Sequence, residues 1–365
     1  MIIRNLWRRK VRSGLTVAGI AVGIGVVVTL IVVSEGMSGQ LTAMISAGGA
    51  EITVLQSGIA DMQFSVLDAG GAETIEAMPE VLWASGTLIE IVPALDRPYF
   101  VLLGVDPQSP AFEHFRLVAG LPLAAENEIL LGRISAEFSH AGPGDTLEVQ
   151  GHTLRVAGIY ETGVGYEDAG GVMALEAVQR LFRKEGRVNL IRVKIRPGSQ
   201  DQIEQIAQAI EGRLPGSAAF RSADFSRNIP DIQTLDTLAG AVSLIGVIAG
   251  GLGTMNTMLM SVFERTREIG TLRALGWRRR RVMGMVLGES LVLSLIGGLA
   301  GIALGMGLVA LIRVSPALPG MIPLHLAPQT IAVALGVALA LGAVGGIYPA
   351  WRAARLTPVE ALRYE

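Results

Sequence analysis

The sequence has no cysteine, and only three lysines, Lys10, Lys184 and Lys194, in 365 residues. Without cysteine, a disulfide framework and a thiolate metal site are both excluded. None of the lysines follows a glycine, so the Gly-Lys pair that closes a phosphate-binding loop is missing. Histidine is also scarce: His114, His140, His152 and His325 include no pair at zinc-ligand spacing. Ser139, His140 and Asp145 are residue types of a hydrolase, but no G-x-S-x-G supports them, and they read as a solvated loop. Charged residues make up 17% of the chain, against roughly 25% in a soluble domain. The sequence therefore shows no enzyme constellation.

What it has instead is apolar length. Half of the residues are hydrophobic, and most of the charge deficit comes from four long blocks rich in glycine. A bilayer core about 30 Å thick needs about 20 apolar residues in a helix. Spans are expected at 15–34, 237–263, 282–312 and 329–350. The first is longer than the roughly 7–15-residue core of a signal peptide and no A-x-A site follows it, so a retained anchor is expected. Basic residues gather at Arg4, Arg8, Arg9, Lys10 and Arg12, again between Arg265 and Arg281, and at Arg352, Arg355 and Arg363. If all four blocks span, these three groups share one side. By the positive-inside rule that side is the cytoplasm, with both termini in it. The basic N-terminus covers 1–14 and the C-terminal segment 351–365. The connection at 313–328, with only Arg313 and His325, falls outside.

Residues 35–236 then form a large extracytoplasmic domain ending in a stalk. It carries about 27 acidic residues against about 14 basic ones. Nucleic-acid binding is not expected, because the sizeable basic cluster lies against the membrane. Strand composition at Glu51–Gln56, Tyr99–Val105, Thr146–Gln150 and Leu154–Tyr160 predicts an α+β fold. The alternation of Ile191, Val193 and Ile195 with Arg192, Lys194 and Arg196 predicts a half-buried strand. Ser199 with Gln202 predicts a capping box for a helix bearing Ile203, Ile206, Ala207 and Ile210, closed by Leu214–Pro215–Gly216. A second helix is expected at Leu175–Arg183. From Ile232 the helical pattern runs into the second span.

Within the membrane, Glu289 and Asn256 stand out. An ionisable group at the bilayer centre costs at least about 2.5–3.5 kcal/mol. Glu289 is expected to reach water or pair with the arginine cluster. Gly19/Gly23, Gly246/Gly250 and Gly284/Gly288 are small-residue pairs suited to close helix packing. Met255, Met258 and Met260 read as ordinary packing, and Asn256 and Thr257 as cross-helix bonders.

The connection at 264–281 is the most specific stretch. Ile269, Leu272 and Leu275 make an apolar edge, and Glu264, Arg265, Arg267, Glu268 and Arg273 supply charge. Such a helix can lie on headgroups or dock in a partner's groove. Its string ERTREIG-x-LRA-x-G resembles the coupling helix of MacB/FtsX-type ABC transporter permeases. The C-terminal GIYPAWRAARLTPVEALR, the opening Asn5–Leu6, and the outer-domain segments Gly120–Leu121–Pro122, Asn127–Gly132 and Gly144–Asp145 are similar to the same family.

The resemblance implies four membrane helices and a MacB-like outer domain inserted between the first two. It implies two permease copies, or two homologues, on a pair of P-loop ATPase subunits that hold ATP and Mg2+. No cofactor is expected on this chain. A membrane fusion or adaptor protein is a further candidate partner, beside membrane lipids. Glu264, Arg267, Glu268, Ile269, Gly270, Arg273, Ala274, Leu275 and Gly276 become the ATPase-docking candidates. The expected function is mechanotransmission: ATP hydrolysis in a separate subunit moves the outer domain to export or extract an amphiphile, such as a lipoprotein, peptide, antibiotic, haem or lipid. The alternative is an FtsX-like, non-transporting regulator of a cell-wall hydrolase.

Overall fold

The computed structural model describes residues 10–59, 61–197, 199–225, 230–314 and 326–357. Arg4, Arg8, Arg9, His325, Arg363 and most of the connection at 313–328 lie outside the described residues. Four helices are long and apolar enough to cross a membrane. They are α1 (Lys10–Ile45), α7 (Pro230–Glu264), α9 (Arg279–Arg313) and α10 (Pro328–Arg355), with the short α8 (Thr266–Ala274) between α7 and α9. The chain divides into two compact units, one built on these helices and one on residues 35–236.

In the helical unit, α1 presents Ile20, Ile24 and Val28 to Gly297, Gly301 and Gly305 of α9. Residues four apart lie on one face of a helix, so three branched side chains meet three missing ones. Gly23 of the expected pair does face Gly246 of α7, whereas a β-carbon on Gly19 or Gly284 would meet nothing within 4 Å. Gly250 of the second pair lies against Leu341, so the sequence motif found contacts at Gly23, Gly246 and Gly250 and overlooked the α1–α9 seam. Ser290 Oγ of α9 donates to the Gly342 carbonyl of α10 at 2.7 Å. Thr257 does not bond across helices: its hydroxyl donates one turn back, to Gly253, at 2.9 Å.

The other unit centres on a ten-stranded mixed sheet. Its strands are β1 (Ile52–Gln56), β3 (Val81–Ala94), β4 (Arg97–Val105), β5 (Arg116–Gly120), β6 (Glu128–Gly132), β7 (Thr146–Val149), β8 (His152–Glu161), β9 (Gly171–Ala174), β11 (Leu190–Ile195) and β12 (Ser217–Arg221). The order is β12-β1-β11-β3-β4-β9-β6-β8-β5, with β7 paired to β8. A small second sheet pairs β2 (Leu67–Asp68) with β10 (Arg187–Val188). The helices are α2 (Gly71–Glu76), α3 (Arg133–Ser139), α4 (Gly165–Asp168), α5 (Leu175–Leu181) and α6 (Ile203–Arg213).

Three details differ from the sequence reading. The unit boundary falls between Ser34 and Glu35, where the first span is expected to end, but the helix itself continues to Ile45, and Met44 and Ile45 join the core of the sheet unit. Arg192 is not on a solvent face: Met44, Ile45 and Glu167 lie beside it on that face of the sheet, and Arg192 is 3% exposed. Burial pushes its guanidinium below the usual arginine value. The capping box does not form, because Ser199 opens a 3-10 turn and its side chain makes no capping bond. The helical face itself is as the spacing predicts, with Ile203, Ile206, Ala207 and Ile210 all buried.

The candidate hydrolase trio is used locally. Ser139 Oγ donates to the Ser135 carbonyl, His140 caps α3 in the left-handed region, and the Asp145 carboxylate accepts from the Gly142 amide. Among the described residues no cluster of three metal-ligating side chains occurs.

Candidate functional site at the connection between α7 and α9

The site begins where α7 breaks. Arg265, at φ −111° and ψ 16°, separates α7 from α8. The break is stabilised by Thr266, whose hydroxyl donates to the Phe263 carbonyl at 2.7 Å. The helix α8 ends as abruptly. The Trp277 amide donates to the Leu272 carbonyl at 3.0 Å and the Gly276 amide to the Arg273 carbonyl at 3.1 Å. These two bonds define a Schellman motif, which needs a left-handed residue just past the helix end. Gly276, at φ +90°, supplies it.

Between these breaks α8 has a buried and an open face. Ile269 is 2% exposed and packs among Met258, Val262, Val282, Val286, Ala350 and Ala353. Trp277 packs against the same cluster. Gly270 is buried. Arg273 is half-buried and its Nη1 donates to the Trp277 carbonyl at 3.0 Å, so it stabilises the turn. Glu264, Arg267, Glu268, Thr271, Ala274, Leu275 and Gly276 are exposed. Leu275 is 75% exposed, an apolar side chain at the tip of a charged helix.

The nine docking candidates therefore divide. Ile269 and Gly270 anchor α8 to its own unit, Arg273 holds the turn, and the other six face outward. The exposed Arg278, Arg279 and Arg280 follow. At the root of α10, the Arg352 guanidinium lies 4.7 Å from the centre of the Phe263 ring.

The intramembrane candidates also separate. Glu289 is paired, with Oε2 accepting from Arg265 Nη1 at 2.8 Å. Its partner is a member of the arginine group at 265–281, as the sequence predicts, and it is the residue at the break in the chain. Asn256 sits on an exposed face of α7. Sequence reasoning counted Arg265 as one more surface charge, because nothing in the local string marks it as the residue between two helices.

The MacB-like periplasmic core domain family matches residues 13–213, and the FtsX-like permease C-terminal family matches residues 240–358. The macrolide export ATP-binding/permease protein MacB of Bdellovibrio bacteriovorus is 29% identical over 99% of this chain and 61% of its own length. The uncharacterized ABC transporter permease YknZ of Bacillus subtilis is 25% identical over 100% of this chain and 98% of its own. The pyoverdine export ATP-binding/permease protein PvdT of Pseudomonas aeruginosa is 28% identical over 98% of this chain and 57% of its own. The chain thus spans about three-fifths of the MacB and PvdT relatives and nearly all of YknZ. With four apolar membrane helices and a mixed α/β domain between the first two, the chain belongs to the MacB-like and FtsX-like family of ABC transporter permeases.

Proposed function

We propose that this chain couples ATP hydrolysis in a separate P-loop ATPase to movement of its outer domain, and so drives export or extraction of an amphiphilic substrate. The observation that carries the reading is the division of α8. One face is fixed into the membrane unit by Ile269, while Arg267, Glu268, Thr271 and Leu275 are exposed. A helix anchored in this way can transmit force, because a load on its open face reaches the packed face without local unfolding. An exposed apolar residue among charges also suits a protein groove, where the leucine supplies buried area and the charges fix register.

In this assignment the arginine-rich side of the membrane unit faces the cytoplasm, following the positive-inside rule. Two copies of the chain, or this chain and a homologue, sit on two ATPase subunits. The ATP and Mg2+ belong to those subunits. The relatives are named for macrolide and pyoverdine export, which supports an exporter while leaving the cargo as an amphiphile class. An adaptor protein on the outer side is part of the proposal where the host has an outer membrane.

The test is co-purification of this chain with a candidate ATPase, comparing the parent with Glu268→Lys plus Leu275→Asp. The pair should associate and hydrolyse ATP in the parent. The double variant should lose association while keeping its thermal stability, since both side chains are exposed. Equal association in both would remove the docking assignment. No association with any ATPase encoded beside the chain would count against the coupled exporter itself.

A further inference from the structure

The residue at which α7 stops is charged and largely buried. The Arg265 side chain is 14% exposed and that of Glu289 is 10% exposed, with 2.8 Å between Nη1 and Oε2. The same guanidinium reaches outward, with its Nε 3.5 Å from Glu268 Oε2, and the Glu268 side chain is 69% exposed. The residue after Glu289 is also tied: Ser290 bonds the Gly342 carbonyl. One side chain therefore links three places: the break between α7 and α8, the open face of α8, and the interior of α9, which is itself bonded to α10.

An isolated carboxylate or guanidinium inside a membrane unit is costly, and removing one partner of a buried pair leaves an uncompensated charge. Arg265 and Glu289 therefore stay together through any motion that leaves them shielded from water. The main chain connects α8 to α7 at the break, but it reaches α9 only through the turn at Gly276. Ile269 packs α8 against α7, α9 and α10 one turn beyond the break. Without a cross-link at the break itself, α8 can rock about that contact and part of a push on it is lost.

We propose that Arg265 is a positioning residue whose ion pair with Glu289 clamps the break, so that α7, α8 and α9 move as one body when an ATPase pushes on α8. The clamp rests on the coupling role proposed above, but its geometry can be tested without it. An ATPase group that engages Glu268 would withdraw that carboxylate from Arg265. The guanidinium would then belong wholly to Glu289, and the clamp would tighten at the moment of docking.

The absence of native cysteine makes the measurement direct. Spin labels are placed at Thr271→Cys on α8 and Leu299→Cys in α9, both exposed positions. Leu299 lies about 30 Å along α9 from its start at 1.5 Å per residue, a span suited to pulsed EPR. Labelled chains are diluted with unlabelled ones and reconstituted in lipid, first without any ATPase. The parent should give a single narrow distance distribution. Arg265→Gln and Glu289→Gln should each lose it, giving broad distributions. Arg265→Lys, and the exchange of Arg265→Glu with Glu289→Arg, should restore it.

With the ATPase and ATP added, the parent's distance should stay narrow and unchanged, because α8 and α9 move as one body, whereas the two glutamine variants should still bind the ATPase but stay broad. Narrow distributions in both glutamine variants would overturn the clamp. So would an exchange variant as broad as the single variants, provided that it melts at the parent's temperature. Failure of the ATPase to bind the parent would instead sink the coupling role and leave the first measurement standing.

Discussion

Ile24 of α1 lies so close to Gly301 of α9 that a β-carbon on the glycine would stand 2.7 Å from that of Ile24. Ile20 meets Gly297 at 2.8 Å and Val28 meets Gly305 at 2.9 Å in the same way. Helices in lipid gain little from hydrophobicity, since the tails are as apolar as leucine, so close contact carries the association. Gly301→Val should therefore lower thermal stability in detergent by about 1–3 kcal/mol, the usual cost of overpacking. Gly19→Val should leave it unchanged, because nothing lies within 4 Å of that position. Equal melting temperatures for the two variants would mean that α1 and α9 do not meet along this seam.

The turn after α8 rests on one backbone conformation. Gly276 holds φ +90°, a region where a β-carbon costs roughly 1–2 kcal/mol. Gly276→Ala should loosen the Schellman closure, and hydrogen exchange at the Gly276 and Trp277 amides should become faster. Gly284→Ala, in the regular part of α9, should not alter exchange at those two amides. Unchanged protection in Gly276→Ala would show that the turn does not need its glycine.

The hairpin from β3 to β4 is closed by Leu95 and Asp96, with φ +54° and +56°. Ala94 pairs with Arg97 across it, so the loop has two residues, both left-handed, as a type I′ turn requires. Leu-Asp is a poor choice for that turn and Asn-Gly is the favoured one. Replacing both with Leu95→Asn and Asp96→Gly should raise stability by about 1 kcal/mol, read from the β-sheet signal in thermal unfolding of the full chain. A loss of stability would show that packing of Leu95 outweighs the strain.

Glu128 gives the sheet unit an acid limit. Its carboxylate accepts from the Ala124 amide at 2.7 Å and the Ala125 amide at 3.1 Å, and it pairs with Arg155. The Ala124 bond is the main reason that its pKa lies below the ordinary 4.5, with the Ala125 amide and Arg155 adding to it. A carboxyl depressed in the native state contributes stability above its unfolded pKa. That contribution is lost as pH falls through the lower native value. Glu128→Gln should cost about 1–3 kcal/mol at pH 7, the worth of a charge-assisted bond, and the difference from the parent should begin to shrink below about pH 4, where the unfolded carboxyl takes up its proton. A difference that stays constant from pH 7 to pH 3 would assign the loss to shape and not to charge.

Much of the local reading agrees with the structure. The strands at β1, β4, β7 and β8 fall where composition placed them, and α6 buries the four residues that its spacing selected. The longest strand escaped notice. In β3, Ser85–Gly86 and Pro93 interrupt the alternation, and only pairing with β4 and β11 makes fourteen residues extend. Arg192 looked solvated because alternation describes a strand with one wet face, whereas both faces of β11 are covered, Ile191 and Val193 in one core and Arg192 beside Met44, Ile45 and Glu167 on the other.

The sequence by itself determined the four membrane segments, the domain between the first two and the short charged helix between the second and third. These follow from hydrophobic length, local propensity and glycine at a helix end, all of which act over a few turns of chain. Tertiary structure decided which glycines are packed, which residues of α8 face outward, and that Glu289 belongs to Arg265. Those outcomes depend on contacts between residues 24 and hundreds of positions apart, such as Arg265 with Glu289 and Ile24 with Gly301. A motif read along the chain holds no information about which face of a helix a distant neighbour will cover, and in lipid that neighbour is what makes a glycine or a charge tolerable.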